Sequence, residues 1–186
     1  MNEVYYVSGN KFKLEMAQDF FDKFSKIKLK QAEIDFIEPQ IDNQVEVALL
    51  KAKQAFKKYK SPLLVDDIGF YFDQYPLFPG TMTKHVANTL GYDGIKKLYN
   101  IGDTGYLRIV LIYMINEKDY QVFDCKTECT LIKPDKIDSN DNLFIKIGVP
   151  LGYNDTIYNL KNSPDFYDTM PRNIALRKFL EYFQKK

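Results

Sequence analysis

Ser61-Pro62-Leu63-Leu64-Val65-Asp66-Asp67-Ile68-Gly69-Phe70 is the stretch on which the reading of this chain turns. Leu63, Leu64 and Val65 form a short apolar run after a proline, the pattern of a strand buried on both faces. The run ends in two adjacent carboxylates and a glycine. Successive side chains on a strand point to opposite faces. If the strand continues through Asp66 and Asp67, only one of the two can face a given site, and the other must find its own partner. Carboxylates at the ends of strands in an open α/β sheet are a frequent metal position, because ligands gather outside the carboxyl ends of strands. Asp and Gly are also turn residues, so a plain turn is the competing reading of Asp66-Asp67-Ile68-Gly69.

Upstream, Val4-Tyr5-Tyr6-Val7 reads as a strand and runs directly into Ser8-Gly9-Asn10-Lys11. Phe12, Met16, Phe20 and Phe24 then recur four residues apart, with Ala17 and Phe21 beside them, as on an amphipathic helix. A tight strand-to-helix turn offers backbone N–H groups and the positive end of a helix dipole, which suits an anion. The same Ser8 and Asn10 also suit a plain N-cap. The spacing of a Walker A loop is absent. Lys28 to Phe36 reads as a second strand. Asp42-Asn43-Gln44 opens a second helix, with Val45, Ala48, Leu49, Ala52, Ala55 and Phe56 as its apolar face. Asn43-x-x-Glu46 matches a capping box, which gives Glu46 a structural role.

Downstream, Pro76-Leu77-Phe78-Pro79-Gly80-Thr81 marks a structured loop. Lys84 and His85 precede two short helices broken at Gly91, and a lone His85 in helical material reads as structural. Tyr106 to Ile115, Tyr120 to Phe123 and Thr127 to Ile132 form a β meander around the polar turn Asn116 to Asp119. Residues 134–142 read as a polar loop and Leu143 to Val149 as another strand. Pro171 suits the first turn of a last helix, with Ala175, Leu176, Phe179, Leu180 and Phe183 facing inward.

Length and composition bound the function. The chain has 186 residues, a hydrophobic fraction of 45% and 15% aromatics, which fits one folded domain and argues against disorder. Its 26 Lys and Arg balance 25 Asp and Glu, which gives no electrostatic case for nucleic acid. Two cysteines, Cys125 and Cys129, lack the second pair of a zinc site and read as buried thiols. No apolar run approaches membrane-spanning length and no leader pattern is visible, so the expectation is a cytoplasmic protein with no membrane partner.

Four motifs then stand in order: Ser8-Gly9-Asn10-x-x-Lys13, Glu46-x-x-x-x-Lys51-Ala52, Asp66-Asp67-x-Gly69 and Pro79-Gly80. Together they resemble the inosine triphosphatase (Ham1) family of nucleoside triphosphate pyrophosphatases. The resemblance implies an α/β fold: an elongated mixed β-sheet with flanking helices in two lobes, a nucleotide cleft between them, and all 186 residues in one domain. It implies hydrolysis of a nucleoside triphosphate to the monophosphate and pyrophosphate. It implies Mg²⁺, or Mn²⁺, held by Glu46, Asp67 and Asp66, and catalysis by Asp67 and Lys13. Substrate contacts fall to Ser8, Gly9, Asn10, Lys13, Lys51 and Gly69, and members of the family are commonly homodimers.

The second half departs from that pattern. The family's base-recognition stretch, Phe-Gly-Tyr/Trp-Asp-Pro, is matched by Leu151-Gly152-Tyr153-Asn154-Asp155, and its Ser-His-Arg by Met170-Pro171-Arg172. Leu151, Tyr153, Asn154 and Arg172 are the expected contacts to the base. The phosphate and metal chemistry is kept and the base chemistry altered, which implies altered or relaxed base choice. The alternative is a catalytically weak nucleotide-binding or interaction protein on the same scaffold.

Overall fold

The computed structural model describes residues 3–134, 137 and 143–185. The chain runs β1 (Glu3–Val7), α1 (Lys11–Phe24), β2 (Lys28–Ala32), α2 (Gln44–Tyr59), β3 (Leu63–Phe72) and β4 (Pro79–Gly80). Then come α3 (Thr83–Ile95), β5 (Thr104–Asn116), β6 (Asp119–Leu131), α4 (Leu143–Ile147), β7 (Gly148–Pro150), α5 (Phe166–Thr169) and α6 (Pro171–Gln184). The seven strands form one mixed sheet in the order β2-β1-β3-β5-β6-β7, with β4 on β3. β1 is parallel to both β2 and β3, and β4 is antiparallel to β3. The chain divides into two compact units. One holds residues 1–67, 109–124 and 172–186, and the other holds 68–108 and 125–171.

The first unit is built on the alternation of its strands. Val7, Leu63, Val65, Val110, Ile112 and Met114 project to one face and pack with Ala48, Ala52 and Ala55 of α2. Three alanines on one helical stripe let the helix backbone lie close to the sheet. The buried residues of α2 are Gln44, Val47, Ala48, Lys51, Ala52 and Ala55, at the three- and four-residue spacing of one face. The apolar face expected from sequence is therefore rotated. Val45, Leu49 and Phe56 are only partly buried, while two polar residues, Gln44 and Lys51, are buried with the alanines. Other buried rings gather α1 and α6: Phe21 lies 6.1 Å from Phe179, which meets Tyr113 of β5 at 5.0 Å and Phe123 of β6 at 6.2 Å.

The second unit has its own aromatic core. Phe70 stacks on Phe144 at 4.6 Å and meets Phe72 edge-on at 5.0 Å. β3 and β4 approach so closely here that a Cβ on Gly69 would lie 2.5 Å from the Gly80 carbonyl oxygen. Thr83 completes the junction, its hydroxyl accepting from the Phe70 amide (2.7 Å) and donating to the Gly80 carbonyl (2.6 Å).

Several expectations are corrected. The second strand stops at Ala32, and residues 33–43 are irregular. Residues 143–147 form a short helix before the three-residue β7, because Leu143, Phe144, Ile145 and Ile147 are all buried around one turn. A short apolar run cannot be told from a buried helix by periodicity alone. Most of the polar loop read over 134–142 lies outside the described residues. The two stretches read as separate strands over 120–132 are one strand, β6. The break at Gly91 is present, at φ 58° inside α3.

The clash at Gly69 is with backbone and cannot be relieved by a rotamer change. Gly69→Ala is expected to destabilise the fold by about 1–3 kcal/mol, measured by urea unfolding.

Candidate functional site

Asp66 and Asp67 both lie on β3, and the strand sends them to opposite faces. Asp67 follows Val65 toward α2. Asp66 follows Leu64, whose registered neighbour on β1 is Tyr6. As whole residues Asp66 and Asp67 are 3% and 5% exposed, so neither is the solvated acid of a turn.

Asp66 is enclosed by donors. Its Oδ2 accepts from the Tyr6 hydroxyl (2.5 Å) and from Nε of Arg172 (2.6 Å), and its Oδ1 meets Nζ of Lys13 (2.5 Å). Burial works against the carboxylate, but Arg172 and Lys13 outweigh it and hold the pKa far below the ordinary range. Burial, reinforced by the charge on Asp66, pushes the Tyr6 phenol well above its ordinary value, so it stays a neutral donor. Nη1 of Arg172 also points at the Met16 sulfur, 3.3 Å away.

Asp67 is different. Its Oδ1 accepts from Nζ of Lys51 at 3.1 Å, and its backbone carbonyl accepts from the buried Gln44 amide at 3.1 Å. Its Oδ2 is buried with no hydrogen-bond partner. Burial raises the Asp67 pKa, with Lys51 and Lys13 opposing. Lys51 also pairs with Glu38 at 3.0 Å and lies over the Phe36 ring. Burial lowers the lysine's pKa, but Asp67 and Glu38 more than reverse the effect. Glu38 is half-exposed.

The turn after β1 is organised by its own side chains. The Asn10 side-chain oxygen accepts from the amides of Phe12 (3.0 Å) and Lys13 (3.4 Å), and Ser8 Oγ accepts from the Asn10 amide (3.1 Å). Asn10 therefore caps α1, and capping places Lys13 within reach of Asp66. Ser8 is buried, and Gly9 and Asn10 are exposed.

The first unit thus brings together Lys13, Lys51, Asp66, Asp67 and Arg172. Glu46 is exposed in the first turn of α2, its amide donating to the Asn43 side chain as the capping reading expects. The acid beside Asp67 and Lys51 is Glu38, which sequence reasoning passed over. So were Tyr6 and Gln44. Gly69 belongs to the second unit and serves the β3–β4 contact. Leu151, Tyr153 and Asn154 lie in the loop after β7 of that unit, with Leu151 54% exposed. His85 is exposed, and the two cysteines are buried and not joined in a disulfide. Among the described residues, no helix is long and apolar enough to cross a membrane, and no three or more His, Cys, Asp or Glu cluster as a metal site.

A mixed α/β sheet with a capped strand-to-helix turn, and with two lysines and an arginine paired to two adjacent carboxylates in the middle of β3, defines an α/β protein with a buried ionic cluster in its first unit. The family follows from comparison: a profile of the Ham1 family matches residues 4–182, and the chain belongs to that family. It is 30% identical over 161 residues to a dITP/XTP pyrophosphatase of Ignicoccus hospitalis, covering 85% of each chain. It is 25% identical over 185 residues to a dITP/XTP pyrophosphatase of Korarchaeum cryptofilum, covering 97% of this chain and 95% of the other. In fold it is similar to a HAM1 protein from Coxiella burnetii, with a TM-score of 0.73, 19% identity and full coverage of both chains.

Asp66→Asn is expected to destabilise the protein by about 3 kcal/mol at neutral pH, because it strips a full counter-charge from buried Arg172. The pH dependence has a definite sign. The folded pKa of Asp66 is depressed, so its contribution is complete above the unfolded value of about 3.9 and is lost as the pH falls below it. Urea unfolding at stepped pH is expected to show a smaller loss of stability toward acid in Asp66→Asn than in the wild type.

Proposed function

We propose that this protein hydrolyses nucleoside triphosphates to the monophosphate and pyrophosphate with a divalent cation, Mg²⁺ or Mn²⁺, and with base choice altered from the family pattern. The observation that carries this reading is the buried, unpartnered Oδ2 of Asp67 beside the Lys51 ammonium. A carboxylate oxygen out of water and without a donor suits a hard cation, which takes one or two carboxylates together with phosphate oxygens. Membership of the Ham1 family and the names of the two relatives support the same reading.

The donor set fits such a cation. Asp67 would hold it through Oδ2, and Glu38, which shares Lys51 with Asp67, is the second carboxylate the geometry offers. This assigns to Glu38 the place expected for Glu46. Asp66 has both oxygens engaged by cationic or phenolic donors and is assigned to organising the site instead. When bound, the cation polarises phosphoryl oxygens and neutralises charge on the leaving pyrophosphate.

The chain's own groups supply the rest. Lys13 and Lys51 balance the negative charge of the phosphates, and Lys13 is the residue of the Asp66 cluster with open surface. Asp67, at the centre of that donor set, is also placed to orient the attacking water. Phosphoryl transfer needs little covalent chemistry from the protein; positioning and charge stabilisation carry the rate. Base choice is assigned as relaxed because Leu151 and Pro171 stand where the family has an aromatic and a histidine.

Pyrophosphate release from a panel of inosine, xanthosine, guanosine, adenosine and pyrimidine triphosphates, with Mg²⁺ or Mn²⁺, tests this. Turnover is expected, with bases discriminated by no more than about a hundredfold. No turnover of any of them would sink the proposal. Asp67→Asn is expected to lower kcat by about a thousandfold while the circular dichroism stays that of the wild type; wild-type activity in that variant rejects the role given to Asp67.

A further inference from the structure

Asp66 uses its two oxygens differently. Oδ2 is saturated by the Tyr6 hydroxyl and Nε of Arg172, at 2.5 and 2.6 Å, leaving Oδ1 to the Lys13 ammonium at 2.5 Å. Arg172 is itself held from a second side by the Met16 sulfur. Exposure runs one way through the cluster. The side chains of Asp66 and Arg172 are 1% and 2% exposed, Tyr6 is fully buried, and the Lys13 side chain keeps 14%. An ammonium on a four-carbon stem is otherwise a mobile point charge. A carboxylate held through its other oxygen cannot rotate to follow it.

We infer that Tyr6, together with Arg172, is a positioning residue for Lys13: by locking Oδ2 of Asp66 it presents the Lys13 ammonium at one fixed point to a phosphate-bearing ligand. What Lys13 meets rests on the proposed triphosphate reading; how Lys13 is held does not. Tyr6 sits on β1, Asp66 on β3, Lys13 on α1 and Arg172 on α6, so the network ties four elements of one unit to one charge. A phenol that merely satisfied a buried hydroxyl would have no reason to act through the lysine.

A double-mutant cycle separates the two roles. Tyr6→Phe is expected to lower kcat/KM for a nucleoside triphosphate about tenfold in the wild-type background and less than about twofold when Lys13 is already Met. An equal factor in both backgrounds, or no effect in the first, overturns the inference. The same four proteins titrated with inorganic tripolyphosphate by calorimetry should give the same pattern in Kd. An activity-free readout is the pair of Hε protons of Lys13 in 13C-labelled protein, assigned by their loss in Lys13→Met. They should be resolved in the wild type and merge in Tyr6→Phe. If the wild type hydrolyses no triphosphate, the functional reading fails and this measurement still decides: retained splitting in Tyr6→Phe overturns the positioning role. Arg172→Lys, which keeps the charge but loses the second hold at Met16, should merge the pair as well, and serves if Tyr6→Phe does not fold.

Discussion

A buried carboxylate is tolerated only when it is paired and hydrogen-bonded. Asp66 meets that requirement with an arginine, a lysine and a phenol, and much of the first unit is arranged to deliver them. β1 supplies Tyr6 through its register with β3. The Asn10 cap starts α1 where Lys13, three residues on, can reach back. α6 begins at Pro171, so that Arg172 enters in its first turn and the rings of Phe179 and its neighbours close over α1 and β5. Removing one donor would leave a buried oxygen of Asp66 short of a hydrogen bond, so the pairing constrains the relative register of these elements. The network is weak evidence for net stability, since an apolar replacement can match a buried ion pair. It is better evidence for specification of a single arrangement.

The adjacent acid meets the opposite condition. On the α2 face lie the alanines of α2 and Val65 of the same strand, with Lys51 bonded to the Asp67 carboxylate and Lys13 a further positive charge. Burial therefore dominates at Asp67 and charge at Asp66, and their pKa values move in opposite directions. Strand alternation alone produces this separation between two residues joined by one peptide bond.

Much of this was legible in the sequence because it is periodic or local. β1, the Ser8–Asn10 turn, α1, β5 and the last helix carry clear patterns, and the argument that Asp66 and Asp67 face opposite ways needed only the period of a strand. The α2 face was misjudged because Gln44 and Lys51 occupy apolar positions of the stripe, and a reading keyed to hydrophobicity rotates the helix to avoid them. Polar residues at core spacing were the available signal. Tyr6 could have been found similarly, as a phenol at an inward position of a central strand, where a hydroxyl needs a partner. Glu38 had no such signal. It lies in irregular chain between Ala32 and Gln44, and only tertiary structure brings it to Lys51. Residues 143–147 were misread for a different reason: five residues are too few for an apolar run to reveal its period.

Environments that drive the pKa values of two carboxylates apart commonly divide their labour. Here the division has a geometric cause that can be followed through the fold. The acid whose charge is locked in, Asp66, has both oxygens engaged by Tyr6, Arg172 and Lys13 and is placed to hold Lys13. The acid whose charge is penalised, Asp67, keeps an unpartnered oxygen. The cost of leaving that oxygen bare is borne by the folded protein before any ligand arrives, and a cation that satisfies it recovers the cost as binding energy. The Asp66 cluster is specified by residues from several elements of one unit. Leu151, by contrast, projects from a loop largely into solvent, where substitution disturbs no buried charge. Loops of that kind tolerate change more readily than packed elements. The loop after β7 can therefore change while the buried cluster around Asp66 stays intact.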